Sequence, residues 1–388
     1  MGPDADMDVG SEVASRGRVA VAIVNWNGRH HLAECLPALS RQTYPDHEVV
    51  IVDNGSTDGS REWLAREWPS VRVIDARANI GFARANNVAI GASDSEWVAL
   101  LNNDTMPEPG WLAALVDAAT RSGERVGSVA SLMLFADDPG VVNSAGIAVD
   151  PAGIAWDRLG GASADSACDA APVFGASAGA ALYRRAALLD VAEVPAGDVG
   201  LGPDIAPGAS EPAGPDPAVR PDSVSGPTAP QAEPPVFDER FFMYLEDVDL
   251  AWRLQLRGWR SVYEPDARVL HHGSATSGEG SPFKNRLLAR NKVWTVVKDY
   301  PTRELLAMLP VVVLYDLASA PYRLLVQGQT AAMLGRVDAL RGLPQVLTQR
   351  RRVQGRRTAP WAEISRVLEP LEPPWSVLRR YEHLRGRG

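Results

Sequence analysis

Apolar residues in the first half of the chain fall in short runs that alternate with amphipathic stretches. RVAVAIVNWN (residues 18–27) reads as a strand, and HLAECLPALSRQ carries helical spacing. HEVVIVDNGS reads as a second strand ending in a turn. A helix over 58–66, a third strand in VRVIDA, a helix opening on glycine in GFARANNVAIGA and a fourth strand in EWVALLNND follow. GWLAALVDAAT continues as a helix and SVASLMLF as another strand. This alternation predicts a mainly parallel sheet with helices on both faces. The stretch 142–180 is rich in Gly, Ala and Ser and shows no clear period, whereas ALYRRAALLD passes from a strand into a short helix.

Between 191 and 235 the pattern stops. Pro, Ala, Gly and Asp dominate, and such a segment buries too little apolar surface to offset its ordering entropy, so a disordered surface insert is expected. Pattern returns in VFDERFFMYLEDVDLAWRLQLRGWRSVYEPDARVLHH, where 245–256 suits a helix and the end suits one or two strands. Helices are expected over 284–298 and from 303 to about 325. The second is interrupted by Pro310, Asp316, Pro321 and Arg323, so it falls short of the roughly 20 apolar residues of a membrane span and reads as an interfacial or core helix. Residues 1–17 are polar and read as disordered. They lack an apolar signal core, so secretion is not expected.

Composition narrows the picture. A chain of 388 residues, 45% hydrophobic, can bury a sizeable core. A formal net charge of -9 argues against a duplex nucleic acid partner. The end of the chain is nonetheless rich in arginine (Arg350, Arg351, Arg352, Arg356, Arg357, Arg379, Arg380), which suits either an anionic membrane surface or a solvated, partly disordered tail. Two cysteines, Cys35 and Cys168, make neither a disulfide framework nor a zinc cluster, and a reducing cytosol is the simplest home.

Five places carry candidate chemistry. Asp104 follows the fourth strand and is either a turn residue or an oxygen ligand for a hard divalent cation. His271 and His272 end a strand, and one of them with Asp104 makes a workable metal pair. Glu246, Asp247 and Asp249 open a helix, where Asp249 and Arg253 suit an i,i+4 pair and Asp247 suits either a charged first turn or a general base. Asp53 ends a strand at the edge where ribose and base ligands bind in open sheets. Asn79, Gly81, Arg84 and Asn87 surround a helix N-terminus suited to phosphate. The dinucleotide glycine fingerprint and the Walker A loop are both missing.

VAIVNWNG, IVDNGSTDGS, NIGFARANN, LLNNDT and FFMYLEDVDLAWRLQLRGW, in this order, resemble the family 2 glycosyltransferases, and most of all their bacterial rhamnosyltransferase-like members. The resemblance covers 18 to about 300 without the insert. It implies a GT-A fold with a mainly parallel nucleotide-binding sheet flanked by helices, and the chain's own pattern adds a C-terminal extension of helices and a basic tail over 301–388. It also implies inverting transfer of a sugar, with rhamnose as the analogy, from a nucleotide diphosphate donor to a glycan or lipid-linked acceptor in cell-surface polysaccharide synthesis. By the resemblance, Asn25, Asp53, Ser56, Asn79, Gly81, Asn87 and Asn103 line the donor nucleotide. Asp104 holds Mn2+ or Mg2+ with His271 (His272 in the other register), because Asn102 stands where the family has its first metal aspartate. Asp247 is the base, and Glu246 orients the base or acceptor. The protein is expected in the cytoplasm, with the C-terminal helices in peripheral contact with the inner leaflet. Two other classes stay open at this point. A nucleotidyltransferase would need a basic glycine-rich loop that VNWNGRHHL does not supply, and a non-catalytic glycan-binding scaffold would explain the missing aspartate.

Overall fold

In a computed structural model, residues 17–192, 234–273, 281–321 and 330–371 are described. Most of the expected insert, the N-terminal segment to residue 16 and Arg379 and Arg380 lie outside them. Four strands come first: β1 (Val19–Asn25), β2 (His47–Asp53), β3 (Arg72–Asp75) and β4 (Trp97–Leu101). Helices α1 (Arg29–Leu39), α2 (Ser60–Glu67) and α3 (Phe82–Gly91) connect them. The strands pair in parallel in the order β3-β2-β1-β4. Their near-continuous Val, Ile, Ala and Leu runs suit strands covered on both faces. The chain moves outward from β1 to β3 and then returns to pair β4 with the other side of β1. That reversal opens a crevice at the carboxyl ends of β1 and β4, where ligands bind in such sheets.

The second half of the sheet is mixed. It contains β5 (Thr105–Pro107), α4 (Trp111–Arg121), β6 (Val126–Phe135), β7 (Val142–Ser144), β8 (Ile147–Val149), β9 (Ala155–Asp157), β10 (Ala171–Val173), β11 (Ala180–Arg184), α5 (Arg185–Val191), α6 (Glu246–Leu256) and β12 (Arg260–His271). β11 lies antiparallel between β4 and β6, and β12 runs parallel to β6. β5, β7 and β10 join antiparallel, while β8 and β9 form a separate hairpin. The parallel expectation therefore holds for the four N-terminal strands and for the β6–β12 pair. The three-residue strands of 142–173 are too short to show a period. Apolar side chains of α1, α2 and α4 cover one face of the sheet, and those of α3, α5 and α6 cover the other.

Helices α7 (Pro282–Asp299), α8 (Thr302–Pro321), α9 (Ala331–Gly355) and α10 (Trp361–Ile364) complete the described chain. α7 starts on Ser281, whose hydroxyl accepts from the Lys284 amide, with Pro282 in the first turn. α9 runs alongside α7 in the same direction. Gly335 sits so close that a Cβ there would lie 2.2 Å from the Arg286 carbonyl oxygen. Farther along, Arg350 donates to the carbonyls of Val297 and Tyr300, and Gln354 donates to that of Asp299, satisfying groups left open at the end of α7. A solvated tail is thus not what residues 331–357 form. Arg350 is a capping residue, and Arg356 reaches the Ala192 carbonyl. The arginines at these positions hold helix ends and returning chain, which composition alone does not distinguish from a charged tail.

α7 is fastened to α6 by buried charge. The Lys298 ammonium is fully buried, 3.0 Å from Asp238 and 2.5 Å from Asp249. Arg253 pairs with Asp249 at 2.7 Å, the expected i,i+4 contact, and Arg240 pairs with Asp238 at 2.7 Å. Burial works against the Asp238 charge, but Lys298 and Arg240 outweigh it and hold that carboxyl well below the usual range. Removing one member of such a cluster strands its partners, at a cost of about 3–5 kcal/mol. Lys298→Met is expected to lower unfolding free energy by about that amount in urea titration. An unchanged midpoint and slope would refute the assignment.

Candidate active site

One half of the crevice is a network of amides, a hydroxyl and one carboxylate at the ends of β1, β2 and β4. Asn25 and Asp53 face each other in register and are fully buried. Asn25 Nδ2 donates to Asp53 Oδ2 (3.1 Å) and to Ser56 Oγ (3.2 Å), while Asn25 Oδ1 accepts from Asn103 Nδ2 (2.8 Å). Asp53 Oδ1 accepts the Ser56 amide at 2.9 Å. Asn79 lies one step outward, where its Oδ1 accepts from Asn54 Nδ2 and from the Gly81 amide. Asn25, Asp53, Ser56, Asn79, Gly81 and Asn103 therefore share one edge of the sheet. Both Asp53 oxygens are occupied from within, so its side chain builds the wall of the crevice. Asn87 is the exception. Its amide is taken up by the chain re-entering after the insert, through the Val236 and Phe237 amides, the Phe237 carbonyl and Glu239.

Asp104 and His271 meet across the β5–β12 pairing, which aligns Thr105 with His271. His271 Nδ1 lies 3.0 Å from Asn143 Oδ1 and Nε2 lies 3.3 Å from Asp104 Oδ1; in the tautomer that donates from Nδ1 to Asn143, the Nε2 lone pair faces Asp104 Oδ1. That oxygen is buried and accepts no hydrogen bond. Two acceptors facing each other at this separation fit a shared cation. In the arrangement with a proton on the His271 ring facing Asp104, burial opposes the Asp104 charge, but a hydrogen bond and charge from His271, then the charge of His31, outweigh it and hold the carboxyl below the ordinary range; a cation between the two takes the place of that proton. His272 turns the other way, 2.9 Å from Glu34 on α1. Among the described residues no three His, Cys, Asp or Glu side chains converge on one point.

α6 enters the same edge from a contorted lead. Phe242, Tyr244 and Leu245 all have φ between 64° and 68°, a left-handed region that costs side-chain-bearing residues on the order of 1–3 kcal/mol each. The distortion is held by α7. Asn291 Nδ2 is shared among the carbonyls of Phe241, Met243 and Tyr244, and Arg290 donates to those of Arg240 and Phe241. Held this way, α6 presents Asp247, whose Oδ2 accepts the Ala178 amide at 3.1 Å. The next residue, Gly179, accepts the Asn102 amide at 2.8 Å. Asp247 and the 102–104 turn thus flank a single strand end.

Burial first, and then Asp157, push the Asp247 carboxyl up to about 6. Burial, and then Asp247, raise Glu246 well above its usual range. Glu246 Oε2 is buried without a hydrogen-bond partner. Asp249, two residues on, points away into the Lys298 cluster.

The mixed sheet, with its crevice at the switch point, is the GT-A fold expected from the sequence. The model of the family described as Glycosyl transferase family 2 matches residues 20–191. The N-acetylglucosaminyl-diphospho-decaprenol L-rhamnosyltransferase of Mycobacterium tuberculosis is 32% identical over 282 residues, covering 66% of this chain and 77% of that protein. The chain belongs to glycosyltransferase family 2. It is also 28% identical over 261 residues to the O-antigen biosynthesis protein RfbC of Myxococcus xanthus, covering 61% of this chain and 16% of that protein. A solved mannosyltransferase from Pyrobaculum calidifontis, in complex with GDP-Man and Mn2+, aligns over 88% of this chain and 86% of its own at 18% identity and a TM-score of 0.45.

Several contributors escape a sequence reading. Ala178 and Gly179 act through the backbone and carry no side-chain signal. Asn291 and Arg290 lie in a helix whose apolar pattern says nothing of their task. The histidine group of His30, His31 and His272 had a visible mark in the GRHHL pair, and its rings lie 3.9 and 5.5 Å apart at the N-terminal turn of α1. Gly81 links the two halves. Its φ is 86°, and a Cβ there would lie 2.6 Å from the Phe242 ring and 2.8 Å from the Phe242 carbonyl oxygen. Gly81→Ala is expected to cost on the order of 1–3 kcal/mol and to displace the 242–245 lead. Thermal unfolding and hydrogen exchange across 240–248 read both effects, and wild-type exchange in that segment would refute the coupling.

Proposed function

We infer that this chain is an inverting glycosyltransferase that moves a sugar from a nucleotide diphosphate donor to a hydroxyl of a glycan or lipid-linked acceptor in cell-surface polysaccharide synthesis. Rhamnose is the sugar suggested by the mycobacterial relative. The observation that carries the reading is the Asp247–Ala178 bond, next to the Gly179–Asn102 bond, which sets a carboxylate across a strand end from Asp104 and His271. Asp247 accepts the proton of the acceptor hydroxyl while that oxygen attacks the anomeric carbon. The bond from that carbon to the diphosphate breaks, and the diphosphate leaves with the bonding pair. A base with a pKa near 6 is ionised at neutral pH yet still basic enough to take a proton in flight. Glu246, held well above its usual range by burial beside Asp247, orients the base or the acceptor.

A divalent cation, Mn2+ or Mg2+, would be held by Asp104 and His271 and would supply charge neutralisation for the departing diphosphate. Asn25, Asp53, Ser56 and Asn103 hold the nucleotide edge rigid. A lipid-linked acceptor would place the enzyme in the cytoplasm against the inner leaflet. Asn102 in place of a first acidic ligand is compatible with this scheme, because Nε2 of His271 already faces Asp104.

The test is donor hydrolysis and transfer with Mn2+ present. Asp247→Asn is expected to abolish turnover, by about 10²–10⁴-fold, while donor affinity stays at the wild-type value. In the wild type, kcat/KM should fall as pH drops through about 6, because a protonated Asp247 cannot accept the acceptor proton. Undiminished turnover in Asp247→Asn, or a flat profile from pH 5 to 8, would remove Asp247 from the role. No turnover of the wild type with any nucleotide sugar would favour the scaffold reading instead.

A further inference from the structure

We propose that the exposed faces of α8 and α9 form a single docking surface for an anionic lipid bilayer. The proposal rests on the lipid-linked-acceptor part of the reading above. On α8 the half-buried positions Leu305, Met308, Val311, Val312 and Tyr315 trace the inner face at helical spacing. The opposite face should then be polar. Instead Leu306, Ala307, Leu309, Pro310, Val313 and Leu314 lie exposed in succession, with Leu306 at 64% and Leu314 at 62%. A soluble helix that is apolar on both faces lacks a cover. α9 repeats the pattern. Met333, Leu334, Val337, Leu340 and Leu347 form an exposed stripe, with Leu340 at 63%, while Ala332, Gly335, Ala339 and Val346 are buried on its other side.

The two faces adjoin. Arg336 pairs with both oxygens of Asp316 at 2.8 and 3.0 Å, joining the end of α8 to the first turns of α9. That pair brings the α8 residues just after Val313 and Leu314 to the first turns of α9, where the α9 stripe begins. Charge selects the occupant. Arg303, Arg341 and Arg351 are exposed at the borders, and the Arg341 side chain is 67% exposed. No carboxylate among the described residues of α8 and α9 is exposed, since Glu304 and Asp316 are half-buried and Asp338 is buried. A two-fold contact between copies would set this patch against itself, arginine facing arginine. Anionic headgroups pair with those arginines while the leucines enter the acyl boundary. Among the described residues no helix is long and apolar enough to cross a membrane, so the mode is lateral contact.

The experiment compares the full chain with the variant Leu306→Gln, Leu314→Gln, Leu334→Gln and Leu340→Gln. Sedimentation uses vesicles of phosphatidylcholine with or without phosphatidylglycerol, at low and high salt. Wild type is expected to sediment with phosphatidylglycerol vesicles at low salt, and the variant should bind at least about tenfold more weakly. Lipid-free donor hydrolysis should be the same in both, which separates this surface from the catalytic reading. Wild type that stays in the supernatant with anionic vesicles overturns the proposal. So does a variant that binds as wild type does, or a wild-type dimer that the variant abolishes without any vesicle binding.

Discussion

Lys298, shut away from water between Asp238 and Asp249, is the contact on which the arrangement turns. One ammonium answers two carboxylates from segments that the insert's far end and α6 supply, and it comes from a helix late in the chain. α7 also supplies Arg290 and Asn291, which hold the carbonyls of a left-handed stretch that would otherwise relax. The C-terminal helices are thus part of the site's construction. Without them nothing would oblige α6 to begin where it does, or Asp247 to face Ala178.

From this constraint comes a division of tasks along one sheet edge. The parallel strands β1, β2 and β4 provide a rigid amide wall, built of residues that mostly bond one another. The mixed half brings β5 and β12 together, so that Asp104 and His271 face across a gap that neither can satisfy alone. α6 provides the opposite lip. There burial raises two adjacent carboxyls, Glu246 well above its usual range and Asp247 to about 6.

Much of this was legible in the chain, for identifiable reasons. The strands β1 to β4 announced themselves by unbroken aliphatic runs, and the Asp249–Arg253 pair by its spacing. Asp104, His271 and Asp247 stood where strands or helices change character, and the structure brings them to one edge. β7 to β10 were not legible, because three residues hold no period. Nor was the work of Arg350, since an arginine that caps a helix looks the same in a sequence as one in water. Asn87 was read as a donor contact from its neighbours, yet its amide closes the chain after the insert. Sequence order could not show that, because the partner lies 149 residues away. The contribution of Ala178 is a backbone amide, which no residue type encodes.

We propose that one cation and one proton acceptor address the same substrate from opposite lips of the crevice. Crystals grown with Mn2+ and a nucleoside diphosphate, measured near the manganese absorption edge, test it most directly. The account predicts one anomalous peak coordinated by Asp104 and His271, with the diphosphate between it and the open side of Asp247. A manganese ion bound elsewhere, or a nucleotide whose diphosphate end points away from Asp247, would contradict it.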